Sequence, residues 1–217
     1  MAESDIQRMQ NSVNRPFQLT LATKRAIDIA GSLIALVFFS PLFLPISLLI
    51  KLESPGPLFY LPQVVGYRGK RFTLLKFRTM VDGAHQILQN DPKLWDEYRT
   101  NLKVKNDSRV TRVGRILRKT SLDELPQLVN ILRGELSLVG PRILSKIELA
   151  RYGDAQGKVL GVVPGLTGLW QVSGRHMVSF ERRMELDLFY VDHWNLWMDF
   201  MILLKTLPVV LSGKGAG

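Results

Sequence analysis

Asp123 and Glu124 are adjacent carboxylates, and their types and setting could do chemistry. They lie in RKTSLDELPQLVN, residues 118–130, with Arg118 and Lys119 before them and Pro126 after them. An aspartate can attack phosphorus and form an acyl phosphate. A neighbouring carboxylate can hold magnesium, which takes one or two carboxylates plus substrate phosphate oxygens. Arginines nearby would neutralise the phosphates. The competing reading is structural. Ser121 and Glu124 have the spacing of a capping box, but Pro126 would then fall beyond the first helical turn, where proline is poorly tolerated. Asp123 as the N-cap brings Pro126 within that turn. Either way both carboxylates lie at the positive end of a helix, and caps are far commoner than active sites.

Other cations stand in less telling settings. Lys76-Phe-Arg-Thr-Met80 reads locally as a basic surface strand, and Leu138-Val-Gly-Pro-Arg142 as an ordinary turn with a solvated arginine. Arg109, Arg112, Arg115 and Arg118 recur every third residue, a gently drifting stripe on a helix. Cysteine is absent, which excludes thiolate chemistry and Cys-ligated metals. The three histidines, His85, His176 and His193, form no metal-binding spacing, so a His-based metal site is not expected. Residues 161–175 are glycine-rich but carry neither dinucleotide nor P-loop spacing.

The net charge of +10 calls for anionic partners: nucleic acid, lipid headgroups or phosphorylated small molecules. A nucleic-acid partner is not expected, because no recognition motif is present and the basic stripe lacks interleaved aromatics. Trp170, Tyr190, Trp194 and Trp197 read instead as core or membrane-interface residues.

The elements that must position these groups begin with an anchor. Residues 29–50, IAGSLIALVFFSPLFLPISLLI, carry no charge and are long enough for a bilayer core of about 20 helical residues. Ser40-Pro41 sits at the centre with Pro45 beyond it. An interior proline kinks a helix, and Ser40 can bond back to a carbonyl and deepen the bend. Lys24 and Arg25 precede the run, and Lys51, Lys70, Arg71, Lys76 and Arg78 follow it. Basic residues on both sides suggest that both ends face the cytoplasm. A re-entrant helix and a kinked spanning helix both remain open on these features.

The rest predicts an α+β fold, mostly helical, with a small hairpin around Gly66-Tyr-Arg-Gly69. A polar helical segment is expected over 82–102, a helix over 126–132 closed by Gly134, an amphipathic stretch over 180–197 and an interfacial segment over 199–211. Three regions follow: a polar segment 1–23, a membrane helix 24–51 and a membrane-associated domain 52–217.

Taken together, KRAIDIAGS, the Ser40-Pro41 break, SPGPLFYLPQVVGYRGKRFTLLKFRTM, TSLDELPQLVNILRGELSLVGPR, VPGLTGLWQVSGR and the tail from Asp199 resemble the bacterial sugar transferases, monotopic polyprenyl-phosphate phosphoglycosyl transferases. The resemblance covers nearly everything from Lys24 onward. It implies transfer of a phosphosugar from a UDP-sugar to undecaprenyl phosphate, with UMP released, in two steps with Mg2+. By the family pattern Asp123 is the nucleophile, Glu124 the magnesium ligand, Arg118 and Arg142 the phosphate binders, Lys76 a substrate contact, and Ser40-Pro41 the break of a re-entrant helix. It further implies membrane lipids as partners, a homodimer, the cytoplasmic face of the inner membrane, and a minimal catalytic form without extra N-terminal helices. Ile143 follows Arg142 where the family commonly has a second proline, which puts the rigidity of that turn in question.

Overall fold

The computed structural model describes the backbone of residues 3–101, 104–174 and 178–212. Side chains are described from residue 18 onward within those ranges, 101 and 211 excepted. Arg175 and Leu102 therefore lie outside the described residues.

The apolar run forms part of one helix, α1 (Glu3–Glu53), whose mean hydropathy reaches 2.5. Asp28, Ser32, Ile46 and Ile50 are buried along it and Ala35, Leu36, Phe39 and Phe43 half-buried, the spacing of a single helical face. The opposite face leaves Ile34, Val37, Phe38 and Leu44 at least 70% exposed. Pro41 cannot donate to the carbonyl of Val37, four residues back. The Ser40 hydroxyl donates to that oxygen instead, at 2.8 Å. The expected break is thus no gap: α1 stays one helix through Ser40-Pro41 and outruns the expected 24–51 at both ends.

Both ends of the apolar run are tied to the same folded domain. Lys24 Nζ donates to Asp199 Oδ2 at 2.6 Å and to the Val139 carbonyl at 2.9 Å. Arg25 donates to the carbonyls of Ile131 and Leu132. At the far end Glu53 accepts from the backbone N–H groups of Arg112 and Val113. A long apolar helix with its outer face bare and both ends fastened to one domain is consistent with a monotopic membrane protein.

The exit turn leads into β1 (Phe59–Tyr60), β2 (Gln63–Val65), β3 (Arg71–Thr73) and β4 (Lys76–Phe77). β2 pairs antiparallel with β3, and β1 with β4 outside it, so the expected hairpin forms around the 66–69 turn, where Gly69 takes φ +75°. The polar segment after it divides into α2 (Ala84–Asn90) and α3 (Pro92–Asn101), because Pro92 starts a helix more readily than it continues one. Next come α4 (Arg112–Thr120), a single 3₁₀ turn over Leu122–Glu124, and α5 (Gln127–Leu132), closed by Gly134 at φ +78°. β5 (Ser137–Val139), α6 (Lys146–Ala150), α7 (Gln156–Val159) and β6 (Gly165–Thr167) follow, with β6 parallel to β5. The chain ends in α8 (Leu169–Val172), α9 (Phe180–His193) and α10 (Leu196–Ser212). α10 exposes Trp197, Phe200, Leu204 and Leu207 at the spacing of one helical face, as an interfacial helix would.

Two core clusters matter for the site. Val64, Phe72, Leu74, Leu128, Ile131 and Leu136 pack with Ala35 and Leu36 of α1. Ile46, Ile50, Phe77 and Leu117 pack with Phe43. Leu125 touches both clusters, so the turn carrying Asp123 and Glu124 is lodged between them. Each fully buried aliphatic or aromatic side chain contributes roughly 1.5–3 kcal/mol.

Candidate active site

The 3₁₀ turn holds Asp123 and Glu124 without using them as caps. Ser121 makes no side-chain cap on this turn, and α5 starts at Gln127 with Pro126, not Asp123, at its N-cap position. Ser121 adopts φ +58°, which ends α4 and turns the chain. Both capping readings are therefore overturned. The carboxylates point instead at cations brought in by other elements.

Lys76, on β4, places Nζ 2.9 Å from Glu124 Oε1 and 3.7 Å from Asp123 Oδ2. Arg142 Nη2 lies 3.1 Å from the same Glu124 oxygen. Arg118, on the last turn of α4, donates Nε to Thr79 Oγ1 at 2.9 Å. Its charge acts on Asp123 without a direct ion pair among the described residues. Three cations thus surround two carboxylates, leaving a positive excess that suits an anionic substrate. Ser40 and Pro41 lie outside this cluster, on the exposed stretch of α1.

The two carboxyls are held differently. Burial pushes Asp123 up; Lys76 opposes this, and the charge of Glu124 adds to the rise. Burial acts on Glu124 in the same sense, but Lys76 and Arg142 outweigh it and hold that carboxyl down at about 2. Glu124 is then the fixed anion and Asp123 the more basic carboxylate, a division of roles typical of paired acids in one site.

Glu124 Oε1 is engaged by both Lys76 and Arg142. Oε2 and Asp123 Oδ1 remain as hard oxygen donors in one small turn. No group of three or more metal-ligating side chains occurs among the described residues. The donor set fits magnesium, which commonly takes one or two carboxylates and completes its shell with phosphate oxygens and water.

Each cation is positioned by its element. Asn130, fully buried on α5, accepts from the Leu75 N–H and donates to the Thr73 carbonyl and to Glu135. It thereby fixes the strand that delivers Lys76. A Cβ at Gly114 would stand 2.0 Å from the Thr79 carbonyl, so only glycine lets α4 approach closely enough for Arg118 to reach Thr79. The Arg142 turn rests on close glycine packing. A Cβ at Gly165 would lie 2.1 Å from Gly140 N, and one at Gly168 2.2 Å from Gly140 O. Gly140 N–H bonds to the Thr167 carbonyl and Gly165 N–H to that of Pro141. The turn is thus braced from β6, with Ile143 packed on the first core cluster. Trp170 lies under the Arg142 guanidinium, 5.7 Å from ring to Cζ, within cation–π range.

A family model described as "Bacterial sugar transferase" matches residues 19–213. The exopolysaccharide production protein ExoY of Rhizobium meliloti is 46% identical over 197 residues, 89% of this chain and 87% of its own. The chain belongs to the bacterial sugar transferase family. The undecaprenyl-phosphate galactose phosphotransferase of Salmonella typhimurium is 45% identical over 96% of this chain. The UDP-galactose-lipid carrier transferase of Erwinia amylovora is 44% identical over 89%. The chain spans less than half the length of these last two, 44% and 41%.

In this sugar transferase the KFRTM stretch is no surface strand. Phe77, Arg78 and Thr79 are all buried. Nor is the basic run a uniform solvated stripe: Arg109 is buried against Asp107 at 2.6 Å and Arg118 turns inward, while Arg112 and Arg115 stay exposed. Arg142 is ion-paired and only 30% exposed, not solvated. Sequence reasoning missed Thr79, Gly114 and Asn130. The signal for Asn130 was a polar residue inside the apolar run LVNIL; Thr79 and Gly114 give none in a single sequence.

Proposed function

We propose that this sugar transferase moves a phosphosugar from a UDP-sugar to undecaprenyl phosphate, releasing UMP, at the start of exopolysaccharide or O-antigen assembly. The observation that carries the reading is the buried Asp123 beside the Lys76–Glu124–Arg142 ion-pair cluster, in a domain fastened to a lipid-facing helix. The Asp123 carboxylate attacks the phosphorus that bears the sugar. The bond to the uridine phosphate breaks, UMP leaves, and a phosphosugar–aspartate remains. An oxygen of the lipid phosphate then attacks the same phosphorus, freeing Asp123 and giving the lipid diphosphate sugar.

Lys76, Arg118 and Arg142 would orient the phosphates and neutralise their charge. Glu124 would hold Mg2+, which supplies further charge neutralisation at the phosphate oxygens. The reading places the enzyme on the cytoplasmic face of the inner membrane, with α1 re-entrant. Galactose is the first sugar to test, since two relatives above are named for it.

UMP release from UDP-galactose and other UDP-sugars, with undecaprenyl phosphate and magnesium, tests the reaction. D123N is expected to abolish it, and turnover at a near-normal rate in that variant would remove Asp123 as nucleophile. Labelling engineered cysteines near Met1 and near Gly217 from each side of the membrane tests the topology. Both should react from the cytoplasmic side, and an N-terminal site reachable only from the other side would mean a spanning helix.

A further inference from the structure

Arg118 is the one of the three site cations that makes no direct ion pair with either carboxylate among the described residues. Its hydrogen bond goes to Thr79, from Nε to Oγ1 at 2.9 Å. That choice of nitrogen matters. A guanidinium presents five N–H donors in a rigid plane. With Nε held from the side, the plane is fixed and the Nη edge stays available for end-on bidentate contact with a phosphate.

Thr79 is itself immobilised. It is 7% exposed, and its carbonyl accepts from the Thr111 N–H, the N-cap of α4, at 3.1 Å. The backbone of Gly114 packs against that same carbonyl. The threonine thus touches α4 at its N-cap, at its first turn and, through the Arg118 side chain, at its last turn.

We propose that Thr79 is a positioning residue of the transfer reaction: its hydroxyl holds Arg118 by Nε so that both Nη groups present to the phosphate of the incoming donor. The proposal rests on the phosphosugar reading above. A lysine cannot substitute for Arg118 here, because it lacks both the Nε donor and the fork. The energetic logic is a guanidinium whose plane is already fixed by Thr79, so less side-chain freedom is lost when an anion binds its Nη edge.

The experiment is a double-mutant cycle on lipid-product formation in membranes, with radiolabelled UDP-sugar as donor and thermal melting as the check on folding. T79V removes the acceptor at nearly constant shape and is expected to lower kcat/KM about tenfold, the size of one hydrogen bond to a charged group. T79S keeps the hydroxyl and should stay within about twofold of the parent. In an R118K background, T79V should change the residual rate less than about twofold, because the bond no longer exists. The proposal is overturned if T79V is as active as the parent, if T79S is as impaired as T79V, or if T79V costs the same tenfold in R118K. The cycle reads product whatever the nucleophile. A D123N enzyme that still turned over would refute the aspartate intermediate without touching the Thr79–Arg118 coupling, and the converse also holds.

Discussion

Replacing Lys76 by methionine removes the one cation that, among the described residues, ion-pairs with both carboxylates. Its Nζ stands 2.9 Å from Glu124 and 3.7 Å from Asp123, and the side chain is only 20% exposed. An opposite charge at such range ordinarily lowers a carboxyl pKa by about 1–3 units. Glu124, now held at about 2 with the help of Lys76 and Arg142, should rise when Lys76 is lost. Asp123, already raised by burial, should rise further. The proposed mechanism uses both carboxylates ionised, so the acid limb of the rate–pH profile should move upward. Sugar-nucleotide turnover measured from pH 5 to 9 in K76M and the parent reads this directly, and K76R should keep the parent's limb.

Stability moves in a defined direction as well. Breaking a buried ion pair and stranding its partner costs about 3–5 kcal/mol, and the cost should shrink as pH falls and the stranded carboxyls take up protons. In the parent, the depressed Glu124 pKa stabilises the fold above its unfolded value, and that contribution is lost as pH falls towards about 2. An acid limb in K76M that coincides with the parent's would refute this account of the site.

Two further substitutions test the scaffold. N130A removes three hydrogen bonds from a fully buried side chain; it should destabilise by about 2–3 kcal/mol, since buried backbone groups are left unpaired, and calorimetry would show it. G114A drives a methyl group into the Thr79 carbonyl. It should cost about 1–3 kcal/mol from overpacking and lower turnover by displacing Arg118, whereas G157A, where a Cβ meets nothing within 4 Å, should change neither.

The sequence made the anchor, the hairpin, the Asp123-Glu124 pair and the helix closed by Gly134 legible, because each rests on local composition or turn chemistry. Which cations gather at the carboxylates is not legible from local spacing, because it depends on long-range packing; only the family resemblance singles out Lys76, Arg118 and Arg142. Arg142 looked solvated until β6 closed over its turn. Arg118 looked like one rung of an exposed stripe until Gly114 allowed α4 to sink onto Thr79. The capping spacing of Ser121 and Glu124 misled for a related reason: Ser121 takes a left-handed conformation that ends one helix instead of starting the next. Ser40-Pro41 predicts a break, whereas α1 runs as one helix through it, with the Ser40 hydroxyl on the Val37 carbonyl that Pro41 cannot reach.

The carboxyl end of α1 is stitched to the elements of the candidate site. Arg78, next to the site strand, donates to the carbonyls of Ser54 and Pro55 in the exit turn, and Glu53 caps the helix that carries Arg118. The anchor is therefore not a portable part. Exchanging it for a generic hydrophobic tail would leave the protein attached to the bilayer yet unpin the strand and the helix that shape the phosphate site. On the proposed topology a lipid that tilts α1 would pull on both elements at once, so bilayer thickness is expected to tune the rate with no change at any residue of the candidate site.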